Sequence, residues 1–169
     1  LIIPYTNKTV KLLNNQINNE NGMNINTINN LALEIIKKSN NENFKIENTN
    51  ISLVTFSGSA STATKFSHTA LTARDFGHPE GNTNLQAGLS NAIDKLKEIT
   101  DPNAQKYIVV IGDGQPTSGG SNGKSATDRA MDRAYEAKND NKITVFSIGY
   151  GIENDATAQD VLKKISSDT

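Results

Sequence analysis

The run "YIVVI", residues 107–111, is apolar at every position and stops abruptly at "GDG". A strand that is apolar on both pleat faces needs cover on both, which favours the middle of a largely parallel sheet. Two further runs, "ISLVTF" from Ile51 and "ITVFSI" from Ile143, carry the β-branched and aromatic content of buried strands. Between them lie helical periods. Leu85, Leu89, Ala92, Ile93, Leu96 and Ile99 recur at steps of three and four, and Ile25, Ile28, Leu31, Ala32, Ile35 and Ile36 do the same. A narrower alanine face, Ala126, Ala130, Ala134 and Ala137, marks a third helix, and Val161, Leu162 and Ile165 mark a last one. "SASTATKF", residues 59–66, alternates weakly and reads as a short edge strand reached through a turn at Gly58. This alternation predicts an α/β domain: a three-layer, open, mainly parallel sheet with helices on both faces.

The chain has 169 residues, enough for one domain with a real core, and no linker divides it, so residues 1–169 are read as one unit. A net charge of -1 gives no general attraction to nucleic acid or to an anionic membrane. No apolar stretch approaches the roughly eighteen residues of a membrane span. With no cysteine, disulfides and thiolate metal sites are excluded, while the compartment stays open.

Right-handed crossovers make each helix run against the parallel strands it serves. The start of the helix near Asn84 and the end of the strand at Tyr107 therefore share one edge, which places Thr83 and Asp113 on the carboxyl rim, where open sheets of this kind bind ligands. A hydroxyl and a carboxylate converging there are hard oxygen donors suited to Mg2+, Mn2+ or Ca2+. An Asp-Gly after a strand is also an ordinary turn, so spacing alone does not make it a site.

Four blocks, "VTFSGSA" at 54–60, "GNTNLQAGLSNAI" at 81–93, "YIVVIGDGQPTSGG" at 107–120 and "ITVFSIGYG" at 143–151, resemble the von Willebrand factor type A domain in order and spacing, over roughly residues 25–166. The resemblance implies a Rossmann-like sheet with a metal-ion-dependent adhesion site on its rim. It makes Thr83 and Asp113 metal ligands. Around this pair Asn84, Gly114 and Ser57 are the flanking candidates, and His78, close to Thr83 in the chain, is expected to border the binding surface. The resemblance also implies a bound Mg2+, or Mn2+ or Ca2+, whose coordination is completed by an acidic side chain of a protein partner. The expected role is adhesion without catalysis, on an extracellular or cell-surface protein such as a bacterial wall or pilus adhesin.

The family's DxSxS block is where this sequence departs. One register sets "NNENGM", residues 18–23, in its place, putting Asn18, Glu20 and Gly22 where Asp, Ser and Ser are expected; another takes "LII" as the first strand and puts Pro4 at the acid. Neither supplies the two serine hydroxyls. Three accounts compete: the motif precedes Leu1, the site is degenerate, or Asn18 and Glu20 substitute as oxygen donors. Residues 1–24 are thus atypical for the family, and its final strand and closing helix are expected beyond "DVLKKISSD". Rival roles are an intracellular scaffold module in an ATPase or chelatase complex, and a structural domain with a degenerate metal site.

Three glycine-rich strings imitate other chemistries. "GDGQPT" has Thr117 where a dinucleotide fingerprint needs its third glycine, and "GGSNGKS" has Ser118 where a P-loop begins. "GGSNG" satisfies GxSxG around Ser121, but too far from the strand for a nucleophile elbow. A flexible loop accounts for all three. His68 and His78 lack the spacing and third ligand of a zinc site. Arg74, Asp75 and Glu80 read as a solvated connection, and the run "DRAMDRAYEAKND" reads as a wet helix face in which Asp128 and Asp132 support Arg129 and Arg133.

Overall fold

A computed structural model describes residues 8–14, 50–62, 65–66, 81–112, 115–149 and 151–167. Four strands are present among them: β1 (Lys8–Asn14), β2 (Asn50–Phe56), β3 (Lys106–Gly112) and β4 (Thr144–Gly149). They form one sheet in the order β2-β1-β3-β4, and every pairing is parallel. β1 lies at the centre, with Leu13 opposite Thr55 on one side and Ile111 on the other. The helices are α1 (Leu85–Lys97), α2 (Ala126–Tyr135) and α3 (Ala156–Ile165).

The three apolar runs are the strands they were read to be. β1 was not foreseen, because "KTVKLLN" interrupts its apolar residues with two lysines and a threonine. Its position also corrects the register that took "LII" as the first strand and set Pro4 at the acid. The strand between β2 and β3 is Lys8–Asn14, and it ends four residues before Asn18. The helical period at 25–36 falls outside the described residues. The expected edge strand at 59–66 shows, within its described part, a single antiparallel bridge from Phe56 to Ala60, closed by Ser61 N–H donating to the Thr55 carbonyl at 2.8 Å.

Connections from β2 to β3 and from β3 to β4 move the same way across the sheet, so right-handedness puts α1 and α2 on one face. On that face Val54, Phe56, Ile108, Val110 and Val145 form one core with Leu89, Ile93 and Leu96 of α1, Ala130 and Ala134 of α2, and Leu162 and Ile165 of α3. The small alanines let α2 settle closely onto its neighbours. The opposite face is buried as well: Leu53, Val109 and Ile111 are 0–1% exposed, and Tyr107 stacks on Phe146 with ring centroids 6.0 Å apart. The uniformly apolar "YIVVI" is thereby covered on both sides.

Helix starts follow local capping chemistry. Ser125 and Asp128 form a reciprocal capping box on α2, each accepting at 3.1 Å from the other's backbone N–H. The charged helix face is wired differently from the expectation that Asp128 and Asp132 support Arg129 and Arg133. Asp128 is spent on the cap, Asp132 pairs with Lys124 at 2.7 Å, and Arg133 pairs with Glu136. Beyond Tyr135 the helix widens into a π-helical turn, Glu136–Asp140, which carries the chain to β4.

Glu136 also receives Lys97 of α1 at 2.9 Å, and that ammonium, ahead of the Arg133 guanidinium, holds its carboxyl below the usual 4.5. A carboxylate with a depressed folded value stabilises the fold above its unfolded value, and the contribution is lost as pH falls through the depressed one. Glu136→Gln is therefore expected to destabilise the domain at pH 7, with the gap to the parent closing as the pH is taken well below 4.5. Urea unfolding followed from pH 7 down through the carboxylate range checks this; a gap that does not narrow as the pH falls would assign the loss to packing.

Candidate functional site

Strand order reverses about β1, and β3 flanks it on the far side, so the crevice outside the carboxyl ends of β1 and β3 is the topological switch point of the sheet. Thr83 arrives there at the head of α1. The helix begins at Leu85 with Asn84 as its N-cap, so Thr83 stands one residue before the cap and does not begin the helix itself. The Asn84 Oδ1 accepts from Ala87 N–H at 3.1 Å, its Nδ2 donates to the Gly58 carbonyl at 3.2 Å, and its N–H donates to the Ser57 carbonyl at 2.6 Å. Ser57, half-buried, thus meets the α1 head through its backbone, with its own N–H donating to Ser59.

Thr83 is a buried polar residue, 8% exposed. Its N–H donates to Thr117 Oγ1 at 2.8 Å, and its carbonyl accepts from the N–H groups of Thr117 and Ser118 at 2.9 and 3.2 Å. These three bonds fasten the head of α1 to the chain that leaves β3. Gly112, the last residue of β3, lies opposite Gly149 at the same edge. Asp113 and Gly114 lie between these two anchored stretches but outside the described residues, as do Asn18, Glu20 and His78. Ser118 Oγ is enclosed and has no hydrogen-bond partner, the one such side-chain atom among the described residues. A buried hydroxyl left in that state beside Thr83 fits a rim built to receive a polar occupant.

Two residues that the sequence reading did not single out, Gln115 in the same loop and Asp155, are joined to each other. Gln115 Nε2 donates to both carboxylate oxygens of Asp155, at 3.2 and 3.3 Å. Asp155 is the N-cap of α3, accepting from Ala158 and Thr157 N–H at 2.9 and 3.1 Å. The Ala158 bond, then Gln115 and Thr157, hold its carboxyl below the ordinary aspartate value. An aspartate ahead of "ATAQ" is a legible cap signal, but the partner forty positions away is not.

The glycine-rich strings have a structural account. Lys124 N–H donates to the Ser121 carbonyl at 3.1 Å around Asn122 and Gly123, with φ of 54° and 75°, the left-handed pair of a tight type I′ turn. The capping box occupies the Ser125 and Asp128 amides at the head of α2, and Ser121 stands exposed in the turn. A cleft of about 240 Å³ lined by Thr62, Asn91, Lys95 and Glu98 runs along α1, sharing no residue with the rim. Among the described residues no three acidic or imidazole side chains gather into a metal cluster, and no helix is long and apolar enough to cross a membrane.

No curated protein matches the chain in sequence. Among solved structures, the vWF domain of the type V pili tip protein Mfa5 from Porphyromonas gingivalis superimposes with a TM-score of 0.69 at 14% identity, covering 99% of this chain and 88% of that one. The PilB minor pilin from Streptococcus sanguinis gives 0.59 at 19% identity, over 95% of this chain and 54% of its own. Proximal thread matrix protein 1 from the mussel byssus, with a zinc-occupied MIDAS motif, gives 0.57 at 17% identity, over 98% and 42%. The chain thus spans about half of the latter two proteins and most of the first. At these identities the likeness is one of fold. The sequence profile described as von Willebrand factor type A domain matches residues 18–169. With most of its length matched and its parallel sheet carrying Thr83 to the carboxyl rim, the chain belongs to the von Willebrand factor type A domain family.

Proposed function

We propose that this domain is an adhesion module that binds a protein partner through a divalent cation held at the carboxyl rim, and that it catalyses no reaction. The observation that carries this reading is the attachment of Thr83 to Thr117 and Ser118, on the segment that directly follows Asp113. This attachment supports a shared place on the rim for the hydroxyl of Thr83 and the carboxylate of Asp113. Pilus proteins among the structural neighbours, and the zinc-occupied MIDAS of the mussel protein, support a surface role and a cation at this place.

In this reading Thr83 and Asp113 are the principal ligands, with Asn18 and Glu20 as further oxygen donors, and Ser57, Asn84, Gly114 and His78 border the surface the partner meets. A bound Mg2+, Mn2+ or Ca2+ would supply a point of positive charge that an acidic side chain of the partner completes. Hard oxygen donors and the absence of cysteine suit these ions over softer ones. The chain's net charge of -1 offers an acidic partner no general attraction, so affinity for it depends on the ion.

Titrating Mg2+ or Mn2+ into the purified chain by calorimetry tests the proposal. The parent should bind; Asp113→Ala should abolish the heat, and Thr83→Val, which keeps the backbone anchors, should weaken binding by about tenfold or more, as loss of a site group does. A parent that takes up neither ion overturns the reading.

A further inference from the structure

We propose that Gln115 and Asp155 form a positioning lock that fixes the loop leaving β3, and with it the cation-bearing part of the rim. The functional half of this inference rests on the cation reading above; the mechanical half does not. Between Gly112 and Ser118 the chain has three anchors. Gly112 is held in the sheet opposite Gly149, Gln115 is held by Asp155, and Thr117 and Ser118 are held by Thr83. Pro116, buried between the second and third anchors, has a fixed φ and no N–H, so it cannot itself add a backbone donor. Removing Gln115 takes away the anchor between Gly112 and Thr117 among the described residues.

Asp155 is suited to act as the fixed reference. Its carboxylate is oriented by two α3 amides, its N–H donates to the Ile152 carbonyl at 3.0 Å, and α3 is seated in the core through Ala158, Val161, Leu162 and Ile165. The Gln115 Nε2 is shared between the two oxygens of this carboxylate, at 3.2 and 3.3 Å. The lock therefore ties the rim loop after β3 to a helix that contributes no residue to the proposed ligand set. In this respect α3 sets where the ligands stand without touching the ion.

Two variants separate the lock from the helix cap. Gln115→Ala deletes the lock and leaves the cap. Asp155→Ser keeps an N-cap of comparable quality but is too short to reach Gln115. With Mg2+ as the probe, each is expected to weaken binding by about tenfold, as loss of an outer-shell partner does. The double variant should be no weaker than the poorer single one, because both remove the same contact. The cation-free melting temperature of Asp155→Ser should match that of Gln115→Ala, which loses the same contact and keeps the cap. Singles that bind Mg2+ as the parent does, or a double variant that loses the product of both factors, overturn the lock. Should the parent bind no cation, the function proposed above falls, and the lock is then decided by hydrogen exchange in the cation-free chain. Amides of Thr117 and Ser118 should exchange about tenfold faster in both variants, by the free energy of one such bond; unchanged exchange overturns it.

Discussion

Phe56→Ala is expected to lower the unfolding free energy by about 3–5 kcal/mol, the cost of emptying a large aromatic site in a core that cannot collapse around it. Phe56 is the last residue of β2, 1% exposed, and lies directly under the rim. Over it passes Gly88 of α1, placed so that a Cβ there would meet the ring at 3.1 Å. The helix comes this close because it carries no side chain at that point, and with the ring gone Gly88 has nothing to drop into the void. The same geometry fixes the sign of a second effect. Gly88→Ala gains about 1 kcal/mol of helix propensity but presses on a ring with no room to move, and overpacking of that kind costs about 1–3 kcal/mol, so the net effect is destabilising. In a Phe56→Leu background the pressure is relieved and Gly88→Ala should become stabilising. Urea unfolding of the four proteins measures this reversal, and a Gly88→Ala effect of the same sign in both backgrounds would remove the ring contact as its cause.

What the sequence makes legible here is whatever one segment can declare for itself. "YIVVI" states its burial, and the α1 stripe names Leu85, Leu89, Ala92, Ile93, Leu96 and Ile99, all of which are buried. Topology then carries Thr83 to the carboxyl rim without further information. The central strand is different. "KTVKLLN" stands among asparagines and lysines, and its place is set by pairing with β2 and β3 on either side, a property of those partners as much as of its own residues. The loop contacts are illegible for a related reason: Gln115 and Asp155, or Thr83 and Thr117, meet only after the sheet has assembled. Even the cap of α1 shows the limit. "NTN" offers three capping residues in a row, and which of them caps depends on where Gly58 and Ser57 wait to receive Asn84.

That junction also predicts the second large effect. Gly119→Ala should destabilise the domain by about 1.5–5 kcal/mol, because two independent penalties fall on one methyl group. The first is backbone strain: φ at Gly119 is +96°, a conformation that costs a residue with a Cβ about 1–3 kcal/mol. The second is steric. A Cβ there would lie 2.9 Å from Asn84 Cγ and closer still to its Oδ1. Asn84 cannot simply swing aside, since that oxygen caps α1 and its Nδ2 holds Gly58; retreat forfeits the cap, worth about 0.5–2 kcal/mol. The two penalties separate in an Asn84→Gly background, where glycine serves as a passable cap and offers no side chain to strike. There Gly119→Ala should cost only the strain, about 1–3 kcal/mol. Equal losses in both backgrounds would assign the whole effect to the backbone. Because the displaced Asn84 adjoins Thr83, the single Gly119→Ala variant should also lose Mg2+ affinity, and Asn84→Gly should lose less, so calorimetry and denaturation on the same four proteins test whether packing at Gly119 and the proposed cation site are one mechanical unit.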